Sequence, residues 1–171
     1  PIVDEIYQGL QYETEPKTAL EFDHDDLFVI NSFSKFFGMT GFRLGWLIAP
    51  EAYIEPIERL AQNLFLAPPT TAQYAALAAM TDEVRPELLR RRDVLHERRD
   101  RLHAGLKQAG FKLSENKPGG AFYIYAKLPD GLSDGIAFAE RALNDAHVAI
   151  TPGADFGFND TSDYIRFAYT T

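Results

Sequence analysis

Short apolar runs alternate with longer stretches of helical periodicity along this chain. Apolar runs bounded by polar or turn-forming residues predict strands at 1–3, 27–30, 45–49, 111–113, 121–125, 148–150 and 164–169. Apolar residues at helical spacing predict helices that begin at Pro50 and that cover 72–80, 84–109 and 136–146. Pro56 falls inside the first of these helices, where it is either tolerated or introduces a kink.

The helix predicted over 84–109 is long and strongly basic. Leu88, Leu95 and Leu102 recur every seven residues and form its apolar stripe, and Gly110 is expected to end it. The other faces carry acidic residues and Arg90, Arg91, Arg92, Arg98, Arg99 and Arg101. Binding to nucleic acid and coiled-coil pairing are alternatives, but the interleaved acids favour a solvated face.

The composition limits the partners of the chain. A net charge of −8 over 171 residues gives no support for nucleic-acid binding through this region. The apolar runs are too short to cross a membrane, and the N-terminus does not resemble a signal peptide. The absence of cysteine excludes disulfides and thiolate metal sites and fits a cytoplasmic protein. His24 lies among aspartates in a polar loop, where solvation is favoured over a metal site.

The stretch 32–46, between two predicted strands, carries a distinctive set of functional groups. The amine of Lys35 can form a Schiff base with an aldehyde. The hydroxyls of Ser32 and Ser34 and the forked guanidinium of Arg43 can hold the oxygens of a phosphate. The alternative is a surface loop with a solvated lysine and arginine. The pattern favours a ligand that carries both a carbonyl and a phosphate.

A second candidate binding residue is Arg166, which lies within the apolar strand predicted at 164–169. A guanidinium in such a strand is costly unless it meets an anion, and a carboxylate meets it with two hydrogen bonds. The anion is either a ligand or a neighbouring acid such as Asp155. Gly119 and Gly120 allow the backbone to approach a substrate, although the turn chemistry of strand entry explains them equally well.

Four motifs in this order resemble those of fold-type I, pyridoxal-phosphate-dependent aminotransferases of classes I and II. They are D-E-x-Y at 4–7, S-x-S-K with R-x-G between 32 and 45, P-G-x-x-F-G at 152–157, and I-R-F-A at 165–168. The resemblance implies an α/β fold that corresponds to the C-terminal part of such an enzyme. Residues 1–83 would belong to the large domain with its mostly parallel sheet, 84–110 to a connecting helix, and 111–171 to a small α+β domain.

The resemblance also implies a role for each matching residue. Lys35 would be the catalytic lysine that holds pyridoxal 5′-phosphate as a Schiff base. Asp4 would face the ring nitrogen of the cofactor and Tyr7 its ring oxygen, although capping a turn is an alternative role for Asp4. Ser32, Ser34 and Arg43 would bind the phosphate. Arg166 would bind the α-carboxylate of the substrate, and no metal is expected.

The activity implied is transfer of an amino group between an amino acid and a 2-oxo acid, by a cytoplasmic homodimer when full length. Two alternatives share these motifs: a C–S β-lyase, and the aminotransferase-like effector domain of a transcription regulator. The chain begins at Pro1, without methionine, directly in a predicted strand. We therefore expect a piece of a longer protein that by itself binds the cofactor weakly.

Overall fold

The computed structural model describes residues 1–170 and shows two compact units, one from Pro1 to Arg92 and one from Asp93 onward. The described residues form four helices and two three-stranded sheets, in agreement with an α/β chain. The boundary between the units falls inside the long helix. The finer division into 1–83, 84–110 and 111–171 stays a prediction.

The first unit contains a mixed sheet. Its strands are β1 (Ile2–Asp4), β2 (Phe28–Ser32) and β3 (Gly45–Ile48), in that spatial order. β1 and β2 are parallel, whereas β2 and β3 are antiparallel. The connection from β2 to β3 contains only a short 3-10 turn (Thr40–Phe42) and no crossover helix, which favours an antiparallel return. The expected parallel arrangement therefore holds only for β1 and β2.

Two helices follow the first sheet. α1 (Glu51–Leu64) runs through Pro56, and α2 (Thr70–Ala79) is rich in alanine. Ala76 of α2 packs in a core cluster with Phe33 and Met39, which both lie in the loop after β2. This packing fixes the loop that carries Lys35 against α2.

The second unit contains an antiparallel sheet of β4 (Tyr123–Lys127), β5 (Thr151–Pro152) and β6 (Tyr164–Ala168), in the order β4-β6-β5. α4 (Gly135–Ala146) begins at the N-cap Asp134, whose side chain accepts a hydrogen bond from the Ala137 amide at 3.0 Å. Along the strands, buried Ile124, Ala126 and Ile165 alternate with residues of the opposite face. Arg166 and its β4 neighbour Tyr125 belong to that opposite face.

Two predicted strands are wrong. Residues 111–113 make only one isolated bridge, between Lys112 and Lys127. Residues 148–150 form no strand because the chain there is still closing α4: His147 is left-handed and the Val148 amide donates to the Ala142 carbonyl at 3.0 Å. The strand starts later, at Thr151.

The long helix α3 (Arg85–Gln108) ends as expected, because Gly110 is left-handed with φ of 85°. One expectation for this helix is wrong. Arg99, placed on a solvated face by its sequence context, is completely buried. Its Nη1 donates to the Pro118 carbonyl at 3.0 Å, and its Nη2 donates to Asp100 Oδ1 at 2.8 Å. These partners compensate the cost of burying the charge.

Gly153, in the P-G-x-x-F-G motif, leaves no room for a side chain. A Cβ atom there would overlap the Thr161 carbonyl oxygen and lie 2.6 Å from the Tyr125 hydroxyl. We expect Gly153→Ala to lower the free energy of unfolding by about 1–3 kcal/mol, as overpacking does. Urea denaturation of the intact protein measures this change.

Gly105→Ala is the matched control. Gly105 lies in α3, and no atom outside its own stretch of helix, among residues 1–170, is within 4 Å of the position that an added Cβ atom would take. Alanine inside a helix is favoured over glycine, so this variant should gain up to about 1 kcal/mol. Equal stability changes in the two variants would contradict the steric explanation.

Candidate functional site

The predicted lysine site lies at the carboxyl ends of the parallel strands β1 and β2. Asp4, the last residue of β1, is in register with Ile30, and Ser32 lies two residues further along β2. Strand geometry therefore places the backbones of Asp4 and Ser32 about 8 Å apart. Ligands of open α/β sheets bind at this edge, outside the carboxyl ends of the strands.

The loops that follow the two strands touch each other. The Lys35 ammonium lies 5.7 Å from the centre of the Tyr7 ring, within the range of a cation–π interaction. Gly9 has φ of 92°, and a Cβ atom on it would lie 2.6 Å from the Phe36 ring. This close approach of Phe36 to a glycine holds the lysine loop against the loop of Tyr7.

The two serine hydroxyls form a pair. Ser32 Oγ and Ser34 Oγ are 2.9 Å apart, and the Ser34 amide donates to Ser32 Oγ at 3.0 Å. Ser34 is buried, and its carbonyl accepts a hydrogen bond from Thr40 Oγ1 at 2.7 Å. The turn from β2 into the lysine loop is thus fixed by its own hydroxyl groups.

The backbone that follows Arg43 lies beside this hydroxyl pair. The carbonyl of the next residue, Leu44, is 3.2 Å from Ser32 Oγ and accepts the Phe33 amide at 3.1 Å. Arg43 is left-handed, with φ of 51°, an uncommon conformation for a residue other than glycine. Its exposed guanidinium donates to the Thr40 carbonyl at 2.9 Å. A strained backbone that is held in place by its surroundings is common at ligand sites.

Asp4 is exposed at the end of β1 and also has a local role. Its Oδ1 accepts a hydrogen bond from the Ile6 amide at 3.0 Å, the turn-capping contact that sequence offered as an alternative. Only one oxygen makes this bond, and a carboxylate has acceptor capacity on both. Turn capping therefore leaves Asp4 able to face a protonated ring nitrogen.

The first unit brings the Lys35 amine and the other predicted cofactor-binding residues to one end of its sheet. These residues are Asp4, Tyr7, Ser32, Ser34 and Arg43. An amine, paired hydroxyls and a guanidinium are the groups that suit an aldehyde and a phosphate on one ligand. A carboxylate and a tyrosine complete the set at the end of β1. The residues present therefore fit pyridoxal 5′-phosphate.

Arg166 lies in the second unit, between two aromatic rings. Its guanidinium carbon is 4.3 Å from the centres of both the Tyr123 and the Phe156 rings. The Thr151 hydroxyl lies 3.5 Å from Arg166 Nη2, a long hydrogen bond. Within residues 1–170, no carboxylate lies within 4 Å of this guanidinium, so the alternative of an ion pair with Asp155 is not observed.

A cleft of about 640 Å³ opens at Arg166. Its lining includes Tyr123, Tyr125, Lys127, Tyr164 and Pro118. Lys127 is paired with Asp163 at 2.7 Å, which raises the lysine pKa. Lys112, which also lines the cleft, is paired with Asp130, so Arg166 is the cation of this cleft best able to bind a carboxylate. Sequence reasoning missed Tyr123 and Phe156, although period-two alternation along β4 and the phenylalanine of P-G-x-x-F-G were available signals.

Comparison with known proteins decides the family. The family model described as aminotransferase class I and II matches residues 1–171. The chain belongs to this family. It is 39% identical to the (5-formylfuran-3-yl)methyl phosphate transaminase of Methanocaldococcus jannaschii over 98% of its length. It is 36% identical to the valine–pyruvate aminotransferase of Mycobacterium tuberculosis, also over 98% of its length.

Solved structures agree with the fold. A crystal structure of an aminotransferase from Mycobacterium tuberculosis superimposes with a TM-score of 0.91 at 36% identity, over 99% of this chain and 44% of that one. The chain spans 44% and 43% of the length of these two curated relatives. No helix among residues 1–170 is long and apolar enough to span a membrane.

Tyr125, which lines the cleft at Arg166, provides a pH-dependent test of the structure there. Its ring stacks on Tyr164 at 4.8 Å, and burial raises its phenol pKa above the ordinary value of 10, assisted by Tyr164 and Asp163. Because the folded-state pKa is raised, its contribution to stability is complete below pH 10 and is lost as the pH rises through the raised pKa.

We expect a late phenolate component in an ultraviolet absorbance titration of the folded protein. Tyr125→Phe should remove that component and reduce the loss of stability above pH 10. A titration curve unchanged by the substitution would contradict the assignment.

Proposed function

We propose that this chain is part of a pyridoxal 5′-phosphate-dependent aminotransferase that moves an amino group between an amino acid and a 2-oxo acid. Membership of the aminotransferase family supports the reaction class. The observation that carries the proposal is the contact of Lys35 with Tyr7 beside the Ser32–Ser34 hydroxyl pair. We infer from it that the Lys35 amine and the two hydroxyls serve one ligand, the amine reacting with its aldehyde and the hydroxyls binding its phosphate.

Each residue of the first unit has a distinct task in this proposal. Ser32, Ser34 and Arg43 bind the phosphate through hydroxyl groups and a guanidinium. Asp4 keeps a proton on the ring nitrogen by placing a negative charge beside it. The Tyr7 phenol binds the oxygen on the ring.

The chemistry is then divided between the cofactor and Lys35. When bound, the cofactor supplies an aldehyde for the amino group and a ring that accepts the electron pair left on the substrate's α carbon. The Lys35 amine would take the proton from that carbon as a general base and, as a general acid, would deliver it to the former aldehyde carbon of the cofactor. The Tyr7 ring, 5.7 Å from Nζ, orients the amine for this task.

Arg166 is proposed to bind the α-carboxylate of the amino acid. The Tyr123 and Phe156 rings pack on the Arg166 guanidinium and restrict its movement. The arginine side chain therefore loses little conformational freedom when the carboxylate binds. The same clamped geometry favours two parallel hydrogen bonds to one carboxylate.

The order of the four motifs supports the further proposal that the chain corresponds to the C-terminal part of its enzyme. A homodimer and a cytoplasmic location are proposed from the resemblance to the family. The β-lyase alternative would use the same lysine, and release of ammonia from a β-substituted amino acid distinguishes it from transamination.

The Lys35 assignment is tested by borohydride reduction of the intact protein with pyridoxal 5′-phosphate, followed by peptide mapping. We expect a pyridoxyl group on Lys35, and its absence in Lys35→Arg. Loss of the general acid–base should lower kcat by about 100- to 10,000-fold. Lys17→Arg, in an exposed loop, is the matched control and should keep both the label and the activity. A label elsewhere in an active protein would contradict the proposal.

The Arg166 assignment is tested by Arg166→Lys, which keeps the charge but loses the planar fork. Because hydrogen bonds to charged groups contribute about 1.5–3 kcal/mol, KM for the amino acid should rise roughly 10- to 100-fold. Steady-state kinetics of the intact protein measure the change. Arg141→Lys, an exposed site in α4, is the control. An unchanged KM in Arg166→Lys would show that the carboxylate binds elsewhere.

A further inference from the structure

Arg99 differs from the other charged residues of α3, which are exposed or half-buried. Its side chain is completely buried, whereas Arg90 and Arg91 form ion pairs with Glu87 at the surface. A buried guanidinium is costly unless all its surroundings compensate it. Its position therefore calls for a specific role in the second unit.

The contacts of Arg99 lead to the loop before β4. Its Nη1 donates to the Pro118 carbonyl at 3.0 Å, while Nε and Nη2 donate to Asp100 Oδ1 at 3.0 and 2.8 Å. The same Asp100 oxygen accepts Lys117 Nζ at 2.9 Å. Hydrogen bonds from Lys117 and Arg99 lower the Asp100 carboxyl pKa. The Lys117–Pro118 dipeptide is thus fixed both by its backbone and by its side chain.

The far end of this loop is fixed as well. Ala121 is left-handed, with φ of 60°, and its carbonyl accepts the Tyr169 hydroxyl at 3.3 Å. The Tyr169 amide donates to the Phe122 carbonyl at 3.0 Å. A non-glycine residue holds such a backbone only when its surroundings impose it. Between these two ends lie Gly119 and Gly120, whose intrinsic backbone freedom is large.

This loop borders the cleft of Arg166. Pro118 lines the cleft directly. At the other end of the loop, the Phe122 ring packs on Tyr123 with centres 4.6 Å apart, and the Tyr123 ring lies 4.3 Å from the Arg166 guanidinium. Displacement of the loop would therefore change both the wall of the cleft and one of the two rings that hold Arg166.

We propose that Arg99 is a positioning residue, which binds the Pro118 carbonyl, fixes the loop of residues 117–121 and thereby sets the affinity of the Arg166 cleft for a carboxylate. This role rests on the proposed function of Arg166. Arg99 makes no contact with the ligand. It acts by holding the cleft in its binding geometry before the ligand arrives, which lowers the cost of ordering on binding.

The test uses 3-phenylpropionate, a monocarboxylate without an amino group, and the intact protein with its cofactor. Calorimetry should show Kd rising roughly tenfold in Arg99→Met, since a fixed loop becomes mobile. Arg99→Lys, which can still reach one acceptor, should recover part of the affinity. The neutral 3-phenylpropanamide, which makes no ion pair with Arg166, should lose less affinity than 3-phenylpropionate in Arg99→Met. Arg101→Met removes an exposed arginine from the same helix and should match wild type.

Two further readouts separate positioning from general destabilisation. KM for the amino acid should rise in Arg99→Met while kcat stays within about twofold. Amide hydrogen exchange should quicken at residues 119–121 but not in β6. If Arg99→Met does not fold, Lys117→Met, which removes only the outer contact to Asp100, should give the same pattern in weaker form.

Equal Kd values for 3-phenylpropionate in wild type and Arg99→Met would overturn the proposal, as would a loss confined to kcat. The outcome is independent of the lysine chemistry. Absence of a pyridoxyl label on Lys35 with a normal Arg99 effect would contradict the aminotransferase proposal alone. A normal label with no Arg99 effect would contradict only the positioning role.

Discussion

The parallel pairing of β1 with β2 is the constraint on which the lysine site depends. It brings the carboxyl ends of two strands that are distant in sequence to the same edge of the sheet, with Asp4 in register with Ile30. The loops that leave these ends must then pack on each other, and Gly9 lets the Phe36 ring approach closely enough to do so. A slip of one residue would turn every side chain to the opposite face.

In the second unit, aromatic rings and buried hydrogen bonds fix the positions of two arginine side chains. β6 alternates Ile165, which is fully buried, with Arg166 on the opposite face. The Tyr123 and Phe156 rings each lie 4.3 Å from that guanidinium, and a second arginine, Arg99, is buried and donates to the Pro118 carbonyl of the neighbouring loop. Among residues 1–170, Arg166 has no carboxylate within 4 Å, whereas Arg99 is hydrogen-bonded to Asp100 and to the Pro118 carbonyl.

Local patterns predicted most helices and strands because they depend on residues close in sequence. The helix stop at Gly110 and the strands β1, β2, β3, β4 and β6 follow from local propensity and periodicity. The strands predicted at 111–113 and 148–150 failed for different reasons. Residues 111–113 reach β4, but only the Lys112–Lys127 pair forms a bridge. At 148–150, the C-terminus of α4 uses the Val148 amide for its own closure.

The sequence by itself determined the family, the lysine loop and the arginine strand, since each depends on residue types at fixed short spacings. Tertiary structure alone decided which groups meet. It placed Tyr7 beside Lys35, enclosed Arg166 between Tyr123 and Phe156, and buried Arg99. The sequence pattern assigned Arg99 to a solvated face because acidic and basic residues are interleaved along that helix. It does not show a carbonyl that approaches from a loop nineteen positions away and compensates the burial of that charge.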